Sequence, residues 1–287
     1  MIQLDTDPQP SVFDGVVAVD SGVNHLFRHG GVTPGDVQGL IHGALFTRGP
    51  DDLNRSAVFV GGSDVSASEA VLKAVTKTFF GLFQVSVLFD PNGCNTTAAA
   101  AVLAAIDGAK QCRGSIEGAT VAVLAATGPV GQRVARLLLQ QGETVQVRVG
   151  SRRLDRARAT ASLLREATGR EPTPFATADS NSLVEGIEGA DVIVAAGAVG
   201  ALLLPESVWR GSTAKVLIDL NAVPPSGIEG VSANDRGKDA SGVLTWGALG
   251  VGATKMKIHK KAIAELFTTN TKVIDAEECL AIGRALS

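Results

Sequence analysis

Apolar residues along the chain fall into short continuous runs separated by stretches in which they recur every three or four positions, the alternation expected of strands and helices in an α/β layer protein. Val16 to Val19 reads as a strand, Thr33-Pro34 opens a helix through Leu40, Ile41 and Leu45, Ala57 to Val60 reads as a second strand, and Ser66 with Glu69 forms a capping box for a helix reaching Phe79. Phe83 to Phe89 is a third strand, ending in the polar turn DPNGCNTT, and an alanine-rich helix over 98–110 follows. Further strands are predicted over 191–196 and 216–220, with helices over 255–267 and 276–286 that have no strands beside them. The pattern predicts an N-terminal α/β domain over 1–112, completed by C-terminal helices over 253–287, and a second domain over 113–250. The two C-terminal helices are placed back against the first domain, with a cleft between the domains.

Residues 121–153, VAVLAATGPVGQRVARLLLQQGETVQVRVGSRR, carry the most information. They read as a strand, a glycine turn, a helix and a second strand with a basic end, a Rossmann-like dinucleotide unit. In the G-x-G-x-x-G pattern the first glycine makes the tight turn, the second admits the pyrophosphate, and the third allows close helix packing. Ala126, Gly128 and Gly131 fill those places, and Pro129 suits a first helical turn whose free N–H groups face an anion. Thr127, Gly128, Pro129, Val130 and Gly131 are therefore the expected phosphate loop. About 20 residues past such a turn an NAD enzyme carries an acidic residue for the ribose hydroxyls. Here stand Ser151, Arg152 and Arg153, whose hydroxyl and guanidinium groups suit a 2′-phosphate. NADP is the expected cofactor, and NAD is not barred. The small-residue loop Ala196, Gly197 and Ala198, together with Asn221 and Gly247, is expected to complete the cofactor site.

Composition narrows the chemistry. With 287 residues, 45% hydrophobic, 19% charged and a formal net charge of −3, the chain has room for two cores and shows no surface suited to nucleic acid or membrane. The start MIQLDTDPQP has no leader pattern, and no apolar run approaches the ~20 residues of a membrane span, so a cytoplasmic protein is expected. Cys94, Cys112 and Cys279 lack metal or redox spacing and read as thiols. There is no tyrosine, which excludes a dehydrogenase using a phenolic acid or base. His25 and His29 have helical metal spacing but no third ligand, so no metal is predicted.

Three features point to the substrate side. Asn92, Asn95, Thr96 and Thr97 gather amides and hydroxyls at a helix start, more than one cap requires. On a helix of 100° per residue, Lys255 falls within about 80° of Ile258, Ala262, Ile263 and Leu266, while Lys257, Lys260 and Lys261 face away. A lysine in the first turn, disfavoured by the helix dipole, calls for an anionic or electron-rich ligand. Asp20, read as the end of the first strand, is expected to face the crevice.

Taken together, DTDPQPSVFD, VFVGGSD, DPNGCNTTAAA, ATGPVG, SRRLDRA, AAGAVG, NAVPPSGI and WGALGVGATKMKIH resemble, in collinear order over nearly the whole chain, the bacterial methylene-tetrahydromethanopterin dehydrogenases. The resemblance implies a two-domain α/β homo-oligomer in one-carbon metabolism, acting on a small-molecule tetrahydropterin. Close relatives also accept methylene-tetrahydrofolate, and the family has NADP-only and dual-specificity members. The implied reaction moves a hydride from the bridging carbon to the nicotinamide and needs no general base, in keeping with the missing tyrosine. It assigns Asp20 to the developing cation or the pterin donor edge, Lys255 to the pterin or its tail, and His25, Asn92, Asn95, Thr96 and Thr97 to the substrate wall. A shikimate-type dehydrogenase and a non-catalytic NADPH sensor are rival readings. The first lacks its lysine context here, and the second would leave the polar DPNGCNTT segment without a purpose.

Overall fold

In the computed structural model, which describes residues 1–286, the chain divides into two compact units. One is Met1–Thr96 with the stretch from Met256 onward, and the other is Thr97–Lys255. The first unit begins with a strand that the apolar pattern did not reveal, β1 (Ile2–Asp5), because two of its four residues, Gln3 and Asp5, are polar and yet fully buried. Val16 to Val19, expected as a strand, lie instead in helix α1 (Val12–Asp20). Its inward face is Asp14, Gly15, Val17 and Ala18, while Val12, Val16 and Val19 face outward at 71, 55 and 61% exposure. With apolar residues on both faces the helical period vanishes from the sequence, and the run mimics a buried strand.

The unit continues through β2 (Phe27–His29), α2 (Val37–Leu45), β3 (Ala57–Gly61), α3 (Val65–Thr78) and β4 (Ser86–Phe89). The start of α3 corrects the predicted capping box: Asp64 is the cap, its carboxylate accepting the Ala67 N–H at 3.0 Å, and Ser66 lies inside the first turn. Helix α4 (Cys94–Arg113) then carries the chain from one unit into the other, with the division in its first turn.

The second unit is the predicted dinucleotide-type domain: β5 (Thr120–Leu124), α5 (Pro129–Leu139), β6 (Gln146–Ser151), α6 (Leu154–Thr168), β7 (Thr173–Ala176), α7 (Ser180–Ile187), β8 (Val192–Ala195), α8 (Glu206–Trp209), β9 (Val216–Asp219), β10 (Arg236–Asp239) and β11 (Leu244–Trp246). The sheet order is β10-β11-β9-β8-β5-β6-β7, parallel except for β10. Strands β5, β8 and β9 are buried at every position, as in a sheet covered on both faces. Gly108 of α4 allows one close covering, since a Cβ there would stand 2.7 Å from Val216.

Helix α9 (Ala248–Glu265) returns the chain to the first unit, where β12 (Val273–Ile274) and α10 (Ala276–Ala285) close it. Strand β12 pairs in parallel with β4, so the first unit has a five-stranded parallel sheet ordered β12-β4-β3-β1-β2. Its core holds Leu4, Ile41, Leu45, Val58, Val60, Val71 and Val87. On the α9 side, His259 is fully buried and stacks on Phe59, with ring centres 6.0 Å apart.

The last helix is closed by a charge cluster. Asp275 caps α10 by accepting the Glu277 N–H at 3.1 Å, and Glu278 reaches back to accept the Asp275 N–H at 3.0 Å. Burial, and then the neighbouring Glu278 and Glu277 carboxylates, push the Asp275 carboxyl up to about 8. The proton is therefore bound more tightly in the folded than in the unfolded chain, where a carboxyl titrates near ~3.9. Its contribution to stability is complete below about pH 4 and is lost as pH rises through about 8. Asp275→Asn keeps an acceptor oxygen without the charge, so its thermal midpoint should fall less between about pH 6 and about pH 9 than that of the wild type. Parallel midpoint curves for the two proteins would show that Asp275 does not titrate in this way.

Candidate active site

In the second unit the chain runs outward from β5 through β6 to β7 and then reverses to β8 and β9, which puts the topological switch point between β5 and β8. Ligands of open parallel sheets bind at the carboxyl ends of the strands at such a point. The loops meeting there are the ATGPVG turn and the Ala196-Gly197-Ala198 segment. The Ala196 N–H donates to the Leu124 carbonyl at 3.1 Å, and the Ala126 N–H to Gly150 at 2.9 Å. The tight-turn role belongs to Ala125, whose φ of 54° is left-handed, one residue before the alanine expected to fill it. Gly131 fits its expected role, because a Cβ there would lie 2.7 Å from the Ala126 Cα and 2.8 Å from the Ala125 carbonyl. Gly128 differs: the nearest atoms a Cβ there would meet are the Ala125 and Ala196 carbonyl oxygens at 3.6 and 3.9 Å, ordinary contact distances, so the protein itself leaves space beside it. Pro129 is the first helical residue, and the first-turn N–H groups at Val130 and Gly131 have no intrahelical partners. Thr127 turns its carbonyl to the Gln132 amide at 2.8 Å.

At the end of β6, Ser151 is buried and its Oγ accepts the Arg153 N–H at 3.4 Å, while Arg152 and Arg153 are exposed. Arg153 already forks onto Asp155, with Nε at 3.1 Å from Oδ1, and this hydrogen bond holds the Asp155 carboxyl below the usual carboxylate range. Asn221 and Gly247, expected beside the cofactor, have local roles that account for them. Asn221 is buried, donates to the Pro225 carbonyl at 2.9 Å and accepts the Val223 N–H at 3.1 Å, so its amide shapes its own loop. A Cβ on Gly247 would come within 1.9 Å of the Ser232 carbonyl, a steric reason for glycine.

The substrate-side residues disperse. A helix that follows a parallel strand runs back toward the amino edge of the sheet, so α1 delivers Asp20 to the edge opposite the expected crevice. There it is exposed and pairs with Lys260 at 3.0 Å, which also corrects the reading of Lys260 as merely solvated. His25 is exposed on the α1–β2 connection, and His29 lies in a strand, so the pair shares no helix face. No group of three or more metal-ligating side chains occurs among the described residues. His25 lines a cavity of about 1060 Å³ with Met1, Phe27, Arg48, Ala57 and Phe267. That cavity opens at the amino ends of β1 and β3 and along the edge strand β2; volume would favour it, but sheet topology directs ligands to the other edge.

Asn95 and Thr96 are almost fully buried and consumed by Asp90. The Asp90 carboxylate accepts the Asn95 N–H at 2.9 Å, the Thr96 N–H at 3.1 Å and the Thr96 hydroxyl at 2.6 Å, and the Asn95 amide donates to the Phe89 carbonyl at 2.5 Å. These two residues close the start of α4. Asn92 is exposed with a left-handed φ of 51°, and Thr97 is half-buried. Lys255 is half-buried and shares the phase of fully buried Ile258, Ala262 and Leu266, as projected. It is not in a first turn, because α9 begins at Ala248, so the helix-dipole argument for it fails. The sequence reading also passed over the loops after β1 and β3, where Thr6, Asp7 and Ser63 stand within two residues of a strand end. The placement of small polar residues immediately past a strand is the signal that could have found them.

A sequence model described as methylene-tetrahydromethanopterin dehydrogenase, N-terminal, matches residues 12–92. A curated relative, the bifunctional protein MdtA of Methylorubrum extorquens, is 43% identical over all of this chain and 98% of its own length. The chain belongs to the methylene-tetrahydromethanopterin dehydrogenase family. A second relative from the same organism, the NAD(P)-dependent methylenetetrahydromethanopterin dehydrogenase, is 28% identical over 95% of this chain and 90% of its own length. Among solved structures, shikimate 5-dehydrogenase of Listeria monocytogenes aligns over 100% of this chain and 96% of its own with a TM-score of 0.51 and 11% identity. Quinate dehydrogenase of Corynebacterium glutamicum aligns over 99% and 98%, at 0.50 and 16%. These two show that the fold is Rossmann-like.

The two glycines of the turn should separate stability from binding. Gly131→Ala should destabilise the protein by about 1–3 kcal/mol through overpacking against the Ala125–Ala126 backbone. Gly128→Ala should leave the melting midpoint near wild type, since its φ of −79° suits alanine, while dinucleotide affinity falls more than tenfold. Calorimetric melting and cofactor titration on both variants measure this; a Gly128→Ala protein binding as well as wild type would remove that glycine from the site.

Proposed function

We propose that the chain oxidises the methylene carbon of methylene-tetrahydromethanopterin to the methenyl form by reversible hydride transfer to NADP, with methylene-tetrahydrofolate and NAD as the alternatives to be compared. The observation that carries this reading is the pairing of an open switch-point turn with a β6 end of Ser151, Arg152 and Arg153, in a chain 43% identical to a curated family member. The residues fit the cofactor. The uncrowded Gly128 and the first turn of α5 suit a pyrophosphate, and β6 ends at Ser151, followed by Arg152 and Arg153, with the nearby Asp155 carboxylate already paired with Arg153. Bound NADP supplies the nicotinamide carbon that accepts the hydride.

The protein's share of the work is positioning and exclusion of water, because the two nitrogens flanking the bridging carbon spread the positive charge that hydride departure leaves. No proton is removed at the reacting carbon, in keeping with a chain that has no tyrosine and whose most deeply placed histidine, His259, is packed against Phe59. We assign Asn92, Thr97 and Lys255 to the substrate side. Lys255 holds the pterin or its tail from the half-buried phase of α9. The reading extends to a cytoplasmic homo-oligomer; the exposed Val12, Val16 and Val19 stripe on α1 is the kind of surface that oligomers cover.

Assaying the pure protein with each methylene pterin and each nicotinamide tests the reading directly, and no turnover with any pair would refute it. Arg152→Ala should weaken NADP far more than NAD, by about 1.5–3 kcal/mol for the lost charge-assisted contact, and Arg153→Ala should cost less because Asp155 already engages that guanidinium. Equal losses for both nicotinamides would make the arginines structural. The kcat should vary only gently across the stable pH range, and a bell-shaped profile traced to one histidine would contradict base-free transfer.

A further inference from the structure

The sheet of the first unit has a switch point of its own. Strand β1 has β2 on one side and β3 on the other, so the chain reverses direction across the sheet between β1 and β3. A ligand of this unit is expected where the loops at the carboxyl ends of those two strands meet. They meet closely. The Thr6 N–H donates to the Gly61 carbonyl at 3.4 Å, and a Cβ on Gly62, whose φ is 125°, would fall 1.9 Å from the Thr6 Oγ1. Asp7 spans the gap, its Oδ2 accepting the Ser63 N–H at 2.9 Å and its Oδ1 the Ser63 hydroxyl at 2.7 Å.

The loop carrying Asp7 is fixed from below. The buried Asp5 accepts the Asp7 N–H at 3.0 Å through one oxygen and the Ser11 N–H at 2.9 Å through the other. Arg28 braces the same loop by donating to the Gln3 amide oxygen at 2.9 Å and to the Pro10 and Ser11 carbonyls at 2.6 and 2.8 Å. Asp7 itself stays half-buried, so its carboxylate is oriented without being sealed off. Ionised, a carboxylate offers about four acceptor sites. Ser63 uses two, and the others point to a ligand with adjacent donors.

We propose that Asp7, oriented by Ser63 at the carboxyl edge between β1 and β3, is the carboxylate that recognises the pterin ring, accepting hydrogen bonds from the ring N–H and exocyclic amino group that lie side by side on its pyrimidinone edge. This inference rests on the pterin substrate of the proposed function. It moves ring recognition from Asp20, which is paired with Lys260 at the opposite edge, to a residue that the sheet topology selects independently.

Tetrahydrofolate and NADP affinities, measured by calorimetry, together with melting midpoints, test the assignment on Asp7→Asn and Ser63→Ala. Asp7→Asn keeps an acceptor for Ser63 but replaces a ligand-facing oxygen with a donor. Its tetrahydrofolate affinity should fall at least tenfold, with NADP affinity and midpoint unchanged, whereas Ser63→Ala should lose two- to threefold. On the wild-type protein, a tetrahydrofolate analogue lacking the exocyclic amino group should bind about tenfold more weakly than tetrahydrofolate, a comparison that does not depend on any variant folding. Undiminished tetrahydrofolate binding by Asp7→Asn, equal binding of the analogue by the wild type, or a joint loss of midpoint and NADP affinity in Asp7→Asn would each overturn the assignment and leave Asp7 as a loop tie. A wild-type enzyme that turns over a methylene pterin while Asp7→Asn binds normally would sink the Asp7 assignment alone; absence of any turnover would sink the functional reading beneath it.

Discussion

Buried aspartates at the carboxyl ends of parallel strands are the interaction on which the rest of the molecule depends. Asp5 ends β1, Asp90 directly follows β4, and Asp219 ends β9; all three are buried and accept backbone N–H groups that follow their strands, Asp90 taking the Thr96 hydroxyl as well. A parallel strand ends with its next N–H groups unpaired, and leaving them so in the interior would cost about 1–3 kcal/mol each. The carboxylates satisfy those groups. Burial pushes the Asp219 carboxyl up, while hydrogen bonds from Asn221, Ile228 and Gly227 pull against that shift. A loop held in this way is rigid without offering the holding carboxylate to a ligand.

This division of labour explains why the polar side chains at the strand ends separate into two kinds. Asn95 and Thr96 sit inside the Asp90 network and shape the start of α4, whereas Asn92 beside them is exposed. Asp5 is buried and holds backbone, whereas Asp7, two residues later, is half-buried and holds a hydroxyl. In the dinucleotide-type unit the same rigidity comes from contact instead. Gly131 brings the first turn of α5 against the Ala125–Ala126 backbone, and space remains beside Gly128. Chemistry that depends on aligning two carbons, and not on moving a proton, is served by edges of this kind.

The dinucleotide unit was readable because its central strands β5, β8 and β9 are buried on both faces and appear as largely apolar runs, while its turn is marked by glycines whose spacing follows from steric contact. The first unit was less so. Strand β1 has two polar residues that are buried through hydrogen bonds to other parts of the chain, and α1 carries valines on an outward face, so both patterns depart from the rule that links burial to hydrophobicity. Misreading α1 as a strand carried Asp20 to the wrong edge. The helical phase of Lys255 survived, since it depends only on the 3.6-residue repeat, but its position along α9 did not: the segment ALGVGA, rich in small residues and without a cap signal, gives no local sign that the helix has begun.

What the sequence determined alone is whatever follows from neighbours in the chain: alternating strands and helices, the glycine turn, the basic end of β6, and the absence of a phenolic acid or base. The tertiary structure decided which polar groups are spent on the backbone and which are left over. That outcome depends on pairings between residues far apart in the chain, such as Ser63 with Asp7 and Lys260 with Asp20. It also depends on strand order, which selects the edge of each sheet where loops converge. Neither leaves a periodic trace in the sequence, because a hydrogen bond across 56 residues imposes no local pattern on either partner.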